Sequence, residues 1–193
     1  MPGALTPRLH ERLVRLGTWL PFRPAARMLA YFTGVTVSEA TARRQTERAG
    51  AAYVRWQTEE AARLAREAPL PPAGPALQQV TVDGAMVPLV GGEWGEVKTL
   101  TVGTVVTGPD GEPRATALSY FSRRADHATF ARLAQVETHA RGTETAGAVA
   151  GVTDGATWCQ EFLDVHRPDA VRVLDFPHAV GYLGAAAAAA CGA

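Results

Sequence analysis

Along the first third of the chain the apolar and polar positions alternate with a helical period. The pattern predicts short helices over residues 4–20 and 24–32, the second opening on Pro24, whose missing N–H has no intrahelical use at a first helical position. Thr33-Gly34-Val35 reads as a turn. Ser38 then stands where an N-cap belongs, ahead of Glu39 in the first turn of a further helix. That helix continues through Arg43, Arg44 and Gln45, can bend at Gly50, and runs to about residue 67 in a pattern of Ala with Arg or Glu. Pro69-Leu70-Pro71-Pro72-Ala73-Gly74-Pro75 stops it and behaves as a semi-stiff spacer. The sequence therefore divides into a helical region (1–68), a Pro-rich linker (69–76) and a second region (77–193).

In the second region the period shortens to that of strands. Strands are predicted over 77–82, over 96–107 closed by Gly108-Pro109-Asp110-Gly111, and over 113–121, with Thr101, Val102, Thr104, Val105 and Val106 supplying β-branched side chains. These make an antiparallel meander. A helix over 125–141, a strand over 146–153, a helix over 156–166, a strand over 170–174 and a final helix from Pro177 follow. Three strands and then helix, strand, helix, strand, helix is the element order of an RNase H-like domain, an α/β fold with a mixed sheet flanked by helices.

Composition fits a folded chain. Of 193 residues, 47% are hydrophobic and 20% charged, enough to bury a core and unlike a disordered segment. Charged or turn-forming residues break every apolar stretch before the roughly 18 residues a membrane span needs, and Arg8, Glu11, Arg12 and Arg15 interrupt any leader-like opening. The expectation is a cytoplasmic protein without a membrane partner. Cys159 and Cys191 lack the number and spacing of a disulfide framework or zinc site and read as a buried thiol and a tail thiol. The formal charge of zero conceals an asymmetry: residues 1–76 carry eleven Arg against six Glu, and residues 77–193 carry eight basic against thirteen acidic side chains. Such a split suggests a basic segment that meets a polyanion and an acidic segment that holds cations. Lys98 is the single lysine; the other eighteen basic residues are Arg.

Candidate chemistry lies at the ends of strands. Asp83 follows Gln79-Val80-Thr81-Val82 and precedes Gly84; Asp154 follows Val149-Ala150-Gly151-Val152-Thr153 and precedes Gly155. If the two strands are neighbours, both carboxylates face one crevice, where hard divalent cations relieve their repulsion and support phosphoryl transfer. Read more simply, Asp-Gly only turns the chain. Asp175 ends a further strand, and His178 lies three residues on: the two pair, or both reach the crevice, or Asp175 caps a helix while His178 packs. The other histidines, among them His127, His139 and His166, read as exposed or structural. Met86, Trp94 and Trp158 read as core or lid residues, with Trp158 placed to wall the crevice. In the basic half, Arg43, Arg44 and Gln45 occupy the part of a second helix from which a helix-turn-helix presents Arg to guanine and Gln to adenine edges. A solvated Arg face is the plainer alternative.

The segments Val80-Thr81-Val82-Asp83-Gly84-Ala85-Met86-Val87-Pro88-Leu89, Gly92-Glu93-Trp94-Gly95-Glu96-Val97-Lys98-Thr99, Ser119-Tyr120-Phe121-Ser122, Val136-Glu137-Thr138-His139, Asp154-Gly155-Ala156 and Leu174-Asp175-Phe176-Pro177-His178-Ala179 occur in that order. Together they resemble bacterial insertion-sequence transposases of the DDE class, which are distantly similar to Mutator-like transposases. Upstream, Phe32-Thr33-Gly34-Val35-Thr36-Val37-Ser38, Arg43-Arg44 and Glu47-Arg48-Ala49-Gly50 are similar to that family's helix-turn-helix region. The resemblance covers essentially the whole chain. It implies a nuclease and strand-transferase core acting on transposon-end and target DNA as a homo-oligomer, with Mg2+ or Mn2+ held by acidic residues. Asp83 matches the first catalytic aspartate and Asp154 the second, both as metal ligands; Asp175 and His178 match a supportive Asp-x-x-His element. The family's third acid has no counterpart, because no Asp or Glu follows Asp175. The resemblance thus implies an incomplete RNase H-like domain, C-terminally truncated, and either an inactive fragment of a transposase or a DNA-binding remnant that competes with an intact one.

Overall fold

A computed structural model describes residues 5–191 of the chain. Residue 4, where the first helix was expected to start, and residues 192–193 lie outside the described residues. The chain forms two compact units that divide between Glu59 and Glu60. Its described residues contain six α-helices and one five-stranded mixed sheet, an α/β architecture. Among them no helix is long and apolar enough to cross a membrane.

The first unit contains α1 (Pro7–Trp19), α2 (Phe22–Thr33) and the start of α3 (Glu39–Glu67). Thr6 caps α1 by accepting the Leu9 N–H. α2 starts two residues before Pro24, which still costs no hydrogen bond because the first four N–H groups of a helix have no intrahelical acceptor. Gly34 ends α2 in the left-handed region, at φ 70°, with its N–H on the Ala30 carbonyl. Ser38 accepts the Thr41 N–H at 3.1 Å and caps α3 as expected. Leu13, Ala26, Leu29 and Ala42 form the small core of this unit, with Leu9, Leu16 and Val37 packed around it. α3 runs through Gly50 without interruption.

The second unit is built on β1 (Leu77–Pro88), β2 (Trp94–Thr107), β3 (Pro113–Arg123), β4 (Ala148–Thr153) and β5 (Val171–Leu174). The strand order is β3-β2-β1-β4-β5. β1 pairs antiparallel with β2 and β2 with β3, whereas β4 runs parallel to both β1 and β5. The meander and the element order follow the sequence pattern. β1 differs from its predicted length, because its pairing with β2 continues to Pro88↔Trp94 and closes in a hairpin. Asp83 therefore does not end a strand. It lies two residues past Thr81, where the parallel pairing with β4 stops.

One face of the sheet is packed. Val80 and Val82, Leu100 and Val102, Phe121 and Val149 meet side chains from α4 (His127–Ala140) and α5 (Thr157–His166), chiefly Phe130, Leu133, Phe162 and Leu163. Asp126 caps α4 by accepting the Thr129 N–H at 2.9 Å. The Pro-rich segment runs along this unit: the Gly74 N–H donates to Thr145 Oγ1 at 2.8 Å, and that hydroxyl donates to the Pro72 carbonyl at 2.6 Å. α6 (Phe176–Cys191) begins one residue earlier than expected and buries no side chain. Met86 and Trp94 are exposed on the β1–β2 hairpin rather than in the core, since the hairpin extends beyond the reach of α4 and α5.

Candidate functional site

Register assembles the acidic site. Thr81 pairs with Val152, so two residues further on Asp83 of β1 stands opposite Asp154. Thr153 pairs with Leu174, so Asp154 in turn stands opposite Asp175. The Asp175 N–H donates to the Thr153 carbonyl at 2.9 Å, which carries the parallel ladder of β4 and β5 to that position. Asp83 within β1, and Asp154 and Asp175 just past the ends of β4 and β5, thus fall in one row of the extended register.

Each carboxylate has its own local anchor. Asp83 accepts its neighbour's N–H, from Gly84, at 2.7 Å. Asp154 Oδ1 accepts the Ala156 N–H at 2.8 Å, at the entry to α5, and lies 3.5 Å from the Cys159 thiol. Asp175 accepts the His178 N–H at 2.9 Å while its oxygens lie 2.7 and 2.8 Å from His178 Nδ1. Helix capping and the Asp–His pair, alternatives in the sequence, therefore coexist. The His178 N–H holds the Asp175 carboxyl below its usual range, and the imidazole adds to this. His178 is raised in turn, first by the hydrogen bond to Asp175 and further by the charges of Asp175, Asp154 and Asp83. All three members of the row act on one imidazole.

Two further side chains adjoin the row. A Cβ at Gly84 would collide with Glu96 Oε1, so glycine at this position lets the Glu96 carboxylate lie against the backbone next to Asp83. Lys98, with its side chain almost wholly buried, is 2.5 Å from Glu96, donates to the Ala125 carbonyl at 3.2 Å, and lies 5.5 Å from the centre of the Trp158 ring. These contacts offset the cost of removing an ammonium from water. Trp158 is half-buried against the core with His127 stacked on it. Cys159 is buried, and burial pushes its thiol up, reinforced by Asp154, Asp83 and Glu96.

Neither Glu96 nor Lys98 was singled out as a site residue from the sequence. The signal was present in the antiparallel register of β1 and β2, which pairs Met86 with Glu96 and Gly84 with Lys98. Among the described residues no three His, Cys, Asp or Glu side chains converge as a ready set of metal ligands. Asp83 and Asp154 are two carboxylates at adjacent places in the continued register of β1 and β4, residue types that suit a hard divalent cation keeping part of its water shell.

Arg43, Arg44 and Gln45 are in the first unit, on the second turn of α3. Arg43 is exposed and 3.5 Å from Glu47; Arg44 is exposed and donates to Thr41 Oγ1 at 3.4 Å; Gln45 is half-buried. Arg48 and Arg55 are exposed at helical spacing from Arg44 and lengthen the same basic face. No family model matches the chain, and no curated protein matches it.

Proposed function

We propose that the chain is the DNA-binding and acidic-core portion of a DDE-class transposase, acting as a multimer on transposon-end and target DNA. The observation that carries this reading is the parallel register of β1, β4 and β5, which, continued past its last pairs Thr81↔Val152 and Thr153↔Leu174, brings Asp83, Asp154 and Asp175 into line. The strand order β3-β2-β1-β4-β5, with β2 alone antiparallel to both its neighbours, supports an RNase H-like assignment of the second unit. Helix α2, the turn at Gly34 and helix α3 with its capped start support a helix-turn-helix in the first.

In this reading Asp83 and Asp154 hold Mg2+ or Mn2+, which supplies charge stabilisation to a phosphodiester under in-line attack. Asp175 orients His178 through Nδ1, leaving the far nitrogen of the ring for a phosphate or a water. Cys159 takes no part as a nucleophile, since its thiol is held protonated. Arg44, Arg48 and Arg55 contact the DNA backbone, and Arg43 and Gln45 reach toward base edges.

A second reading, a DNA-binding protein that occupies transposon ends without cutting them, is favoured by one observation: among the described residues no third ligand joins Asp83 and Asp154 in a set that could hold a metal ion, Asp175 being paired with His178. Binding of a transposon-end duplex, followed by incubation with Mg2+ or Mn2+, tests both. We expect binding that weakens with salt and falls at least tenfold in an Arg43→Ala/Arg44→Ala variant. We expect no nicking by these residues alone. Metal-dependent nicking abolished by Asp83→Ala would exclude the second reading; absence of salt-dependent binding would exclude both.

A further inference from the structure

The first unit carries an apolar cleft beside its own core. It lies between the C-terminal halves of α1 and α2, with a volume of about 390 Å³. Leu16, Met28 and the buried Leu29 line it as an apolar floor, together with the exposed Trp19 and Phe32 and with Arg12 and Arg15 as its charged margin. Trp19 is 71% exposed and Phe32 72%, although both belong to helices whose other faces are packed. Large aromatic side chains left open on so small a unit, around a concave apolar floor, mark a contact surface.

The chemistry of the rim selects the occupant. Every charged residue that lines the cleft is Arg, and no Asp or Glu lines it. The Arg15 guanidinium lies over the Trp19 ring, 5.2 Å from its centre. That face of the indole is already covered by a cation, so a nucleobase cannot stack on it, and the charge beside it attracts a carboxylate. The floor needs apolar side chains to displace its water, which a phosphate backbone does not provide. The lining extends over about two helical turns, the length along which a helix presents side chains at i, i+4 and i+7. Arg43 and Arg44, assigned above to DNA, are not part of it.

We propose that this cleft docks an acidic amphipathic helix of a partner protein, with large apolar side chains entering between Trp19 and Phe32 and flanking carboxylates meeting Arg12 and Arg15. The proposal is independent of the transposase reading.

Fluorescence anisotropy of the full chain tests it with three probes. These are a labelled helical peptide with Leu, Phe and Leu at i, i+4 and i+7 flanked by Glu, the same peptide with Lys in place of Glu, and a short DNA duplex. The acidic peptide is expected to bind at least tenfold more tightly than the basic one. Phe32→Ala and Trp19→Ala, substitutions at exposed positions, should each weaken it about tenfold while leaving helix content and duplex binding unchanged. Arg12→Glu/Arg15→Glu should invert the preference between the peptides. Equal binding of the two peptides overturns the proposal. So does displacement of the acidic peptide by the duplex together with loss of duplex binding in Trp19→Ala, which would make the cleft a nucleic-acid surface. Concentration-dependent dimerisation abolished by Phe32→Ala would assign it instead to a second copy of the chain.

Discussion

Asp175 accepts the His178 backbone N–H and pairs with the His178 imidazole, so one carboxylate both starts α6 and fixes a titratable ring. The imidazole is raised above its ordinary value, so its charged form persists above pH 6.5; the carboxyl is lowered, so it stays ionised below pH 3.8. The sign follows for each partner. The contribution of His178 is fully present below pH 6.5 and is lost as pH rises through its folded value. That of Asp175 is present above pH 3.8 and is lost as pH falls through its lowered value. An NMR titration should find His178 titrating above 6.5 and moving back toward it in Asp175→Asn; an unchanged midpoint in that variant would remove Asp175 as the cause. The two cysteines make a second contrast at this scale. Cys159 is buried beneath Asp154 with its thiol pushed up, while Cys191 is exposed. A thiol reagent at neutral pH should label one cysteine in the native chain, the exposed one, and both after unfolding. Labelling of native Cys159 would contradict the packing of α5 against β1.

At the scale of elements, α5 is held by a histidine that works without charge. His166 Nε2 donates to the Ala131 carbonyl at 2.9 Å, which leaves Nδ1 to accept from Thr138 at 3.1 Å, so a neutral imidazole bridges α4 and α5. Burial pushes this ring down to about 4. Above pH 6.5 its contribution is complete. Between 6.5 and 4 the unfolded chain takes up the extra proton, and stability should fall by about 3 kcal/mol across that window. Denaturant unfolding as a function of pH checks this, and His166→Gln should flatten the profile. From sequence, His166 read only as exposed or structural, because a helix-end histidine carries no signal of what packs beside it. The elements were more legible than their ends. Ser38, Pro69 and Gly108-Pro109-Asp110-Gly111 marked boundaries by local chemistry, whereas the continuation of β1 to Pro88 depends on its pairing with Trp94 across a hairpin, which the alternation of side chains does not announce. In the same way Asp83 and Asp154 were visible as candidates, while Glu96, set against Gly84 by the hairpin pairing, was not.

For the whole molecule, charge is divided between the units as it is between the halves of the sequence. Arg43, Arg44, Arg48 and Arg55 are exposed on the first unit, and the row of aspartates belongs to the second. The central claim is the proposal that Asp83 and Asp154 act as one cation site although seventy residues separate them in the chain. Binding of Mn2+ to the full chain, followed by loss of the free-ion EPR signal, tests this without requiring any catalytic activity. The account predicts saturable binding that is lost in Asp83→Asn and equally in Asp154→Asn, and is kept in Asp110→Asn on the distant β2–β3 turn. Retention of Mn2+ binding in both site variants, or its absence from the unaltered chain, would contradict it.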